Sequence, residues 1–364
     1  MNKKKYVILA VNPGSTSTKL AVYDDETERF RENIVHDQDA LLAAEDTQSR
    51  MDMRIKAVRG ALAAQGFDMA SVSGVVGRGG LIPGLGMGGY YVNDVMRDVI
   101  LSGKLISHAS NLGALMARAL ADPIGVPSVI YDAVSADSLP EIARITGIPE
   151  IRRESFCHVL NSRAMARQYA RSKGMRYEDM SLIVAHLGGG ISVSAHKNGE
   201  IIDVITDDGG PFSPERAGSL PILYIIDMCF SGRYTREQVI RKQRGNGGLK
   251  ALLGTSDCRE IESRIKSGDE RAATCYRAQA YQIAKGIGNL APALNCKMDA
   301  IILTGGVAYS EMLTDMICEY VSALAPIVIM PGENEMRSLA LGMLRILRGE
   351  EACAQYGGAE RMSR

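Results

Sequence analysis

Two stretches of this chain repeat one pattern: an apolar strand, a short polar turn, and a second strand. They lie about half the chain apart. The later copy is the plainer, LIVAHLGGGISVSAHKNGEIIDV from Leu182 onward. Residues 182–185 form an apolar run that reads as a buried strand. His186 ends it, Gly188, Gly189 and Gly190 follow, and residues 191–195 alternate as a second strand. Asn198-Gly199 is a hairpin signal, and residues 201–204 give a third strand. Glycines between strands let backbone N–H groups approach a ligand with no side chain in the way. Such groups form a nest suited to phosphate. Glycine content alone fits a ligand-free hairpin tip as well. The earlier copy tips the balance: residues 7–11 as a strand, residues 12–19 as a tight polar turn, residues 20–23 as a strand. Repetition on this scale predicts a duplicated α/β domain pair with a nucleotide between its halves.

Composition narrows the class. At 364 residues two domains are the expectation, and 46% apolar with 23% charged residues is ordinary for a globular enzyme. The 42 Lys and Arg residues balance the 42 Asp and Glu residues, so nothing favours nucleic acid or an anionic membrane as partner. No run approaches the ~20 apolar residues of a membrane span. The N-terminal lysines and apolar run imitate a signal peptide, but they lead into the polar turn and read as the first strand. Seven cysteines, an odd number without C-x-x-C spacing, argue against a disulfide framework or a zinc site. Reduced thiols in a cytoplasmic enzyme are the simplest account.

Residues 36–65 read as exposed helices, and residues 72–76 as a strand running into Gly77-Arg78-Gly79-Gly80. An arginine between glycines at a strand end is placed to meet an anion. Gly14 and Lys19 mimic a P-loop, but the second glycine is missing and a strand follows, so Walker A fails. The G-x-G-x-x-G at residues 84–89 follows Pro83 rather than a strand, which excludes a dinucleotide fingerprint and suggests a mobile loop. Helices are expected from Ser107 to about Ala121 and from Ser155 through Ala170. Asp132 ends a strand over residues 126–131, where ligands of α/β sheets gather. Residues 207–221 form a long irregular loop of functional character. Residues 221–295 read as mostly helical, interrupted at residues 245–248, and suit a dimer or interdomain surface. Residues 300–303 make a strand before Gly305-Gly306, and residues 327–330 a last strand. A helix over residues 336–348 follows, with the tail after Gly349 loosely held.

The order of VNPGSTSTKLAVY, VVGRGG, HASNLGA, AHLGGGISVSAH, DDGGPFSPERAGSLP, LTGGVAYS and PGENE resembles the acetokinase family over nearly the whole chain. That family lies within the acetate and sugar kinase, Hsc70 and actin superfamily. The resemblance implies an α/β fold of two duplicated ribonuclease-H-like (actin-like ATPase) domains with a cleft between them. Residues 1–136 with 336–356 would form the substrate lobe, and residues 137–335 the nucleotide lobe. It implies ATP-dependent, reversible phosphorylation of a short-chain fatty acid carboxylate, with ATP/ADP and Mg2+, in a homodimer or higher homo-oligomer.

Carried over by motif, Asn12, Ser15, Ser17 and Lys19 line the phosphate side, as do His186, Gly188, Gly189 and Gly190. Gly305 and Gly306 lie by the nucleotide. Arg78 holds the substrate carboxylate, Arg216 is a second arginine facing substrate, and His158 donates to the phosphoryl oxygens. Asp132 and Glu335 hold Mg2+ through water, and His108, Asn111 and Cys157 line the acid pocket with Arg78. A carboxylate is already ionised at neutral pH, so positive charge and positioning, not a general base, carry such a transfer. Three departures bear on the substrate. DAVSADSLP replaces a more apolar stretch at Ser135 and Ala136, Cys157 replaces a bulkier aromatic, and Gly189 stands where acetate kinases carry Asn. The last favours butyrate or a branched-chain acid over acetate or propionate. A non-catalytic nucleotide-binding protein of the same fold is the rival from another class.

Overall fold

The computed structural model describes residues 5–44, 46–106 and 108–358. The chain divides into two compact units, residues 1–137 with 334–364, and residues 138–333. Twelve strands are described: β1 Val7–Pro13, β2 Ser17–Asp24, β3 Thr27–Val35, β4 Gly74–Arg78, β5 Gly89–Tyr91, β6 Ser128–Tyr131, β7 Leu182–Leu187, β8 Ile191–Lys197, β9 Glu200–Ile205, β10 Ala300–Gly305, β11 Ile327–Pro331 and β12 Cys353–Gln355.

The first unit holds a seven-stranded sheet in the order β12-β5-β6-β4-β1-β2-β3, and the second a five-stranded sheet in the order β11-β10-β7-β8-β9. One plan underlies both. In the first unit β1, β2 and β3 form an antiparallel meander, and β4 then β6 add parallel to β1. In the second, β7, β8 and β9 form the meander, and β10 then β11 add parallel to β7. The duplication read from two turns is therefore a duplication of whole sheets. Asn198 (φ 54°) and Gly199 (φ 79°) both take the left-handed conformation that a two-residue hairpin turn requires.

The central strands β1, β4, β6, β7 and β10 are buried on both faces, so they read as apolar runs, while β11 at the sheet edge is only partly covered. In β7, Ile183, Ala185 and Leu187 face one core, while Leu182 and Val184 face another. The helix Glu270–Leu290 packs on the first side through Tyr276, Ala280, Ile283 and Ile287. The helix Val159–Ser172 packs on the second through Met165, Ala166 and Tyr169. Each fully buried Ile or Leu contributes roughly 1.5–3 kcal/mol of transfer free energy. In the first unit the helix Leu112–Ala121 presses on β4 at a glycine pair. A Cβ on Gly77 would fall 2.1 Å from Gly113 O, so bare backbone at both positions sets the spacing beneath Arg78.

Several expectations change. The first turn is shorter than residues 12–19, because Ser17, Thr18 and Lys19 already pair in β2. The helix Thr47–Ala64 is not simply exposed: Met51, Arg54, Ile55, Val58 and Leu62 form a buried stripe at helical spacing. The helix expected from Ser155 begins at Val159. Within residues 84–89, Leu85 is fully buried and Gly88 exchanges backbone and side-chain bonds with Asp132. The segment after Gly349 is tied down: β12 pairs with β5, Tyr356 is buried, and its hydroxyl donates to Pro83 O at 2.8 Å. Backbone pairing and one aromatic anchor do this, with no apolar periodicity to announce it. The seven cysteines form no disulfide. Among the described residues no helix is long and apolar enough to cross a membrane.

Candidate active site

In the first unit, three neighbouring parallel strands end in polar groups. β1 carries Asn12 near its end, β4 ends at Arg78, and Asp132 follows β6. Their register aligns them, since Val11 pairs with Gly77 and Arg78 with Tyr131. Glu335, first residue of the helix Glu335–Leu347, belongs to this unit rather than the second. Its Oε2 accepts from Asn12 Nδ2 at 2.7 Å, and its Oε1 ion-pairs with Arg78. Arg78 thus already grips a carboxylate with its guanidinium. Asp132 is buried and takes φ 42°, a strained choice for a residue other than glycine. Gly88 holds it there: Gly88 N donates to Asp132 Oδ1 at 2.8 Å, and Asp132 N donates to Gly88 O at 3.0 Å.

His108 sits by the same arginine. Burial, and then the charge of Arg78, holds its imidazole below the ordinary histidine range. Its Nδ1 is 2.6 Å from Ser110 Oγ. Asn111 does not offer its amide to a pocket. Its Oδ1 accepts from Leu81 N at 2.7 Å and its Nδ2 donates to Ile106 O at 3.0 Å, so it clasps the loop after Arg78. Ser135, one of the departures, does similar work by donating to Ile82 O at 2.5 Å and Gly80 O at 3.1 Å. Ser15 and Lys19 are exposed at the β1–β2 turn, and Ser17 is half-buried.

In the second unit the corresponding strand ends again converge. His186 on β7 pairs in register with Thr304 on β10. Asn161 Nδ2 lies 3.0 Å from His186 Nδ1 and donates to Thr304 Oγ1 at 3.3 Å, and Thr304 Oγ1 in turn donates to Gly332 O at 3.3 Å. With Asn161 donating, His186 carries its proton on Nε2. That nitrogen is 3.0 Å from Glu333 Oε1, close but off the line of a hydrogen bond. His158 stacks on His186 and holds Ser192 Oγ at 2.9 Å through Nδ1. Cys157, just before it, is buried.

Arg216 lies over the glycine turn. A Cβ on Gly190 would come 2.5 Å from its Nη1, so glycine makes room for the guanidinium. Arg216 ion-pairs with buried Asp207, which also accepts from Arg244 Nη2 at 2.9 Å. Burial first, and then the charge of Arg244, lowers the pKa of Arg216. Ser213 Oγ donates to Gly189 O at 2.5 Å and accepts from Arg216 N at 3.0 Å, fixing the loop to the turn. A Cβ on Gly188 would meet His186 Nε2 at 3.0 Å, while Gly306 faces open space.

Sequence reasoning missed Arg54, Asn161, Ser192, Asp207, Arg244, Thr304 and Glu333. Two carried a signal: Arg54 occupies an apolar-stripe position, and Asn161 follows His158 by one helical turn. The others depend on pairing across strands or loops. Among the described residues no three His, Cys, Asp or Glu side chains form a metal-binding cluster. Asp132 and Glu335 are a two-carboxylate set whose Asp132 Oδ1 and both Glu335 oxygens already take protein donors. Carboxylates so engaged suit contact with Mg2+ through water rather than direct ligation of a cation stripped of its shell.

Residues 137–333 match the family model described as the Acetokinase family. The probable butyrate kinase 2 of Caldanaerobacter subterraneus subsp. tengcongensis is 46% identical over 353 residues, covering 97% of this chain and 100% of that protein. Butyrate kinase 2 of Clostridium acetobutylicum is 44% identical over 354 residues, covering 97% and 99%. Among solved structures, the acetate kinase of Porphyromonas gingivalis superposes with a TM-score of 0.75 at 17% identity, covering 93% of this chain and 99% of that one. A propionate kinase from Francisella tularensis gives 0.73 at 17% identity, covering 93% and 98%. At such identities the structural likeness establishes the fold.

Proposed function

The chain belongs to the acetokinase family, and from that membership we infer that it transfers the γ-phosphoryl group of ATP to the carboxylate of a short-chain fatty acid. Its two units have the ribonuclease-H-like, actin-like ATPase fold. The acceptor we propose is butyrate or a branched-chain acid, in line with the names of its relatives and with Gly189 in the glycine turn. In the step, a carboxylate oxygen bonds to the γ-phosphorus as the bond to the β-bridging oxygen breaks. ADP leaves, an acyl phosphate forms, and no proton need move.

The observation that carries this reading is the Arg78–Glu335 pair. An arginine at a strand end, held over a glycine-spaced helix, already pairs with a carboxylate. The acid would take that grip, with His108 bounding its chain. In the first unit Asn12, Ser15, Ser17 and Lys19 would receive phosphate oxygens; in the second Gly188, Gly189 and Gly190 form a turn suited to the same task. Gly305 and Gly306 would border the nucleotide. Arg216 and His158 would supply positive charge and a hydrogen bond to the transferring group, where such donors act most strongly. Asp132 and Glu335 would hold Mg2+, which supplies neutralisation of phosphate charge when bound.

Trapping the acyl phosphate with hydroxylamine, with ATP, Mg2+ and a panel of acetate, propionate, butyrate and isobutyrate, tests the reading. Hydroxamate should form fastest with butyrate or isobutyrate. Faster turnover of acetate would move the substrate to the rival branch, and no product with any acid would remove the activity.

We also propose that copies of the chain associate. The helix Ile222–Phe230 has no buried residue, yet Ile222, Leu223, Tyr224, Ile226 and Phe230 crowd its surface. A helix apolar on all sides is built to be covered.

A further inference from the structure

Arg54 is 2% exposed, and its guanidinium lies under the β1–β2 turn. Nη1 donates to Ser17 O at 2.9 Å and to Thr18 Oγ1 at 2.9 Å. Nη2 donates to Gly14 O at 2.8 Å and to Ser15 O at 3.1 Å. The one turn carbonyl left over, Thr16 O, accepts from His36 N at 2.9 Å. Four consecutive carbonyls are therefore drawn to donors on the protein side. A trans peptide sets each N–H opposite the carbonyl before it, and the described residues contain no cis peptide bond. The N–H groups of Ser15 and Thr16 must then point away from Arg54, on the exposed side of the turn.

The charge balance is as telling as the geometry. Among the described residues no carboxylate pairs with Arg54, and its Nε has no partner. His36, whose Nε2 lies 2.8 Å from Thr18 Oγ1, offers no negative charge either. A buried cation answered, among the described residues, by carbonyl dipoles and one hydroxyl is an expensive arrangement, and a neutral side chain would pack there at lower cost. The arrangement yields a fixed positive charge directly beneath a turn whose outer face is N–H groups. Both features favour an anion above the turn.

We propose that Arg54 is the positioning residue of the phosphate turn, acting through residues 14–17 without touching substrate. Its fork holds the carbonyls inward, and its charge adds to the attraction of the outward N–H groups for the transferring phosphoryl group. This rests on the carboxylate-kinase reading above. The family motifs at this turn name Asn12, Ser15, Ser17 and Lys19; Arg54 lies well outside them, on a helix.

The test uses the full chain with Arg54→Met, which keeps the stem and removes fork and charge, and Arg54→Lys, which keeps charge without the fork. Turnover is followed with ATP, Mg2+ and butyrate. In parallel, hydrogen exchange of the peptide covering residues 12–19 is followed with ADP, Mg2+ and aluminium fluoride. Arg54→Met should lower kcat about 100-fold, as misplacement of a binding group does, with KM for butyrate within about threefold. It should also lose the protection of the 12–19 amides. Arg54→Lys should fall between, and in a third variant, Arg54→Ala, millimolar guanidinium should restore part of the lost kcat. A folded Arg54→Met with kcat within about threefold of the parent, or with protection intact, overturns the proposal and leaves the kinase reading standing. Should Arg54→Met fail to fold, Arg54→Lys decides, and parental kcat and protection in that variant overturn the proposal. A parent that protects its 12–19 amides but phosphorylates no acid overturns the substrate reading and not the role of Arg54.

Discussion

The imidazole of His158 lies flat on that of His186, ring centroids 3.7 Å apart and planes within 9°. Each ring is anchored through Nδ1, His158 by Ser192 and His186 by Asn161. Replacing His158 by Phe keeps a flat ring in the stack and removes both nitrogens. We expect His158→Phe to fold with an unchanged melting temperature and to lose about 100-fold in kcat, the scale for one lost transition-state donor. Turnover close to the parent would take His158 out of the mechanism.

Gly190 and Arg216 make a second pair to test. An added methyl at Gly190 would overlap the guanidinium, and Asp207 and Ser213 hold the loop so that Arg216 cannot simply retreat. Gly190→Ala should therefore cost about 10- to 100-fold in kcat with stability little changed. Arg216→Ala and Arg78→Ala should each cost about 100-fold or more. Steady-state kinetics beside a thermal melt separates these from unfolding, and a Gly190→Ala enzyme at parental kcat would mean that Arg216 is not positioned by this turn.

The apolar helix Ile222–Phe230 leads to a hydrodynamic prediction. Leu223→Glu with Phe230→Glu places two charges among Ile222, Tyr224 and Ile226. Sedimentation of the parent should give a mass of at least two chains, and the double variant should shift toward one chain. A monomeric parent at micromolar concentration would rule out self-association through this helix.

Three histidines make stability fall in acid. His36, His108 and His196 are all held below the ordinary histidine range, burial being the largest cause in each. His196, enclosed by the Tyr177 hydroxyl at 2.7 Å and Ser194 Oγ at 2.8 Å, is pushed down to about 3. In the unfolded chain each takes a proton near pH 6.5, roughly the model histidine value. Between that pH and its lower folded value the unfolded state binds more protons, so stability rises with pH and is lost as pH falls. For His196 the slope approaches about 1.4 kcal/mol per pH unit. Denaturant melts from about pH 7 to about pH 5 should show the loss, and His196→Gln should flatten it. An equal slope in that variant would mean that His196 does not bind its proton in this window.

The two strand–turn–strand units, Arg78 among its glycines, and Asp132 at a strand end were legible because each depends on neighbours in sequence. Apolar runs fix strands, Asn198-Gly199 fixes a turn, and glycine marks where backbone must come close. What escaped depends on partners far apart in the chain. Glu335 reads as a helix opener until Asn12 and Arg78 are seen on it. The segment after Gly349 looks like a tail until Glu351 accepts from the Tyr131 hydroxyl at 2.7 Å and from Arg345 Nε at 2.8 Å. Asn111 has the composition of a ligand-binding group and the geometry of a clasp. Composition gives the chemistry a side chain can do; only the fold says which neighbour has already claimed it.

The first unit is not contiguous: it takes in residues 1–137 and then, after the whole of the second, residues 334–364. A ribosome delivers the chain in order, so β1 to β6 emerge and wait. The second unit can close around β7 to β11 as soon as residue 333 is free. The first cannot, because Glu335, the packing of Gly342 on Tyr131, and the β12 edge arrive last. Until then Arg78 and Asn12 lack the carboxylate that unites them, and a nascent or truncated chain carries an unfinished acid grip.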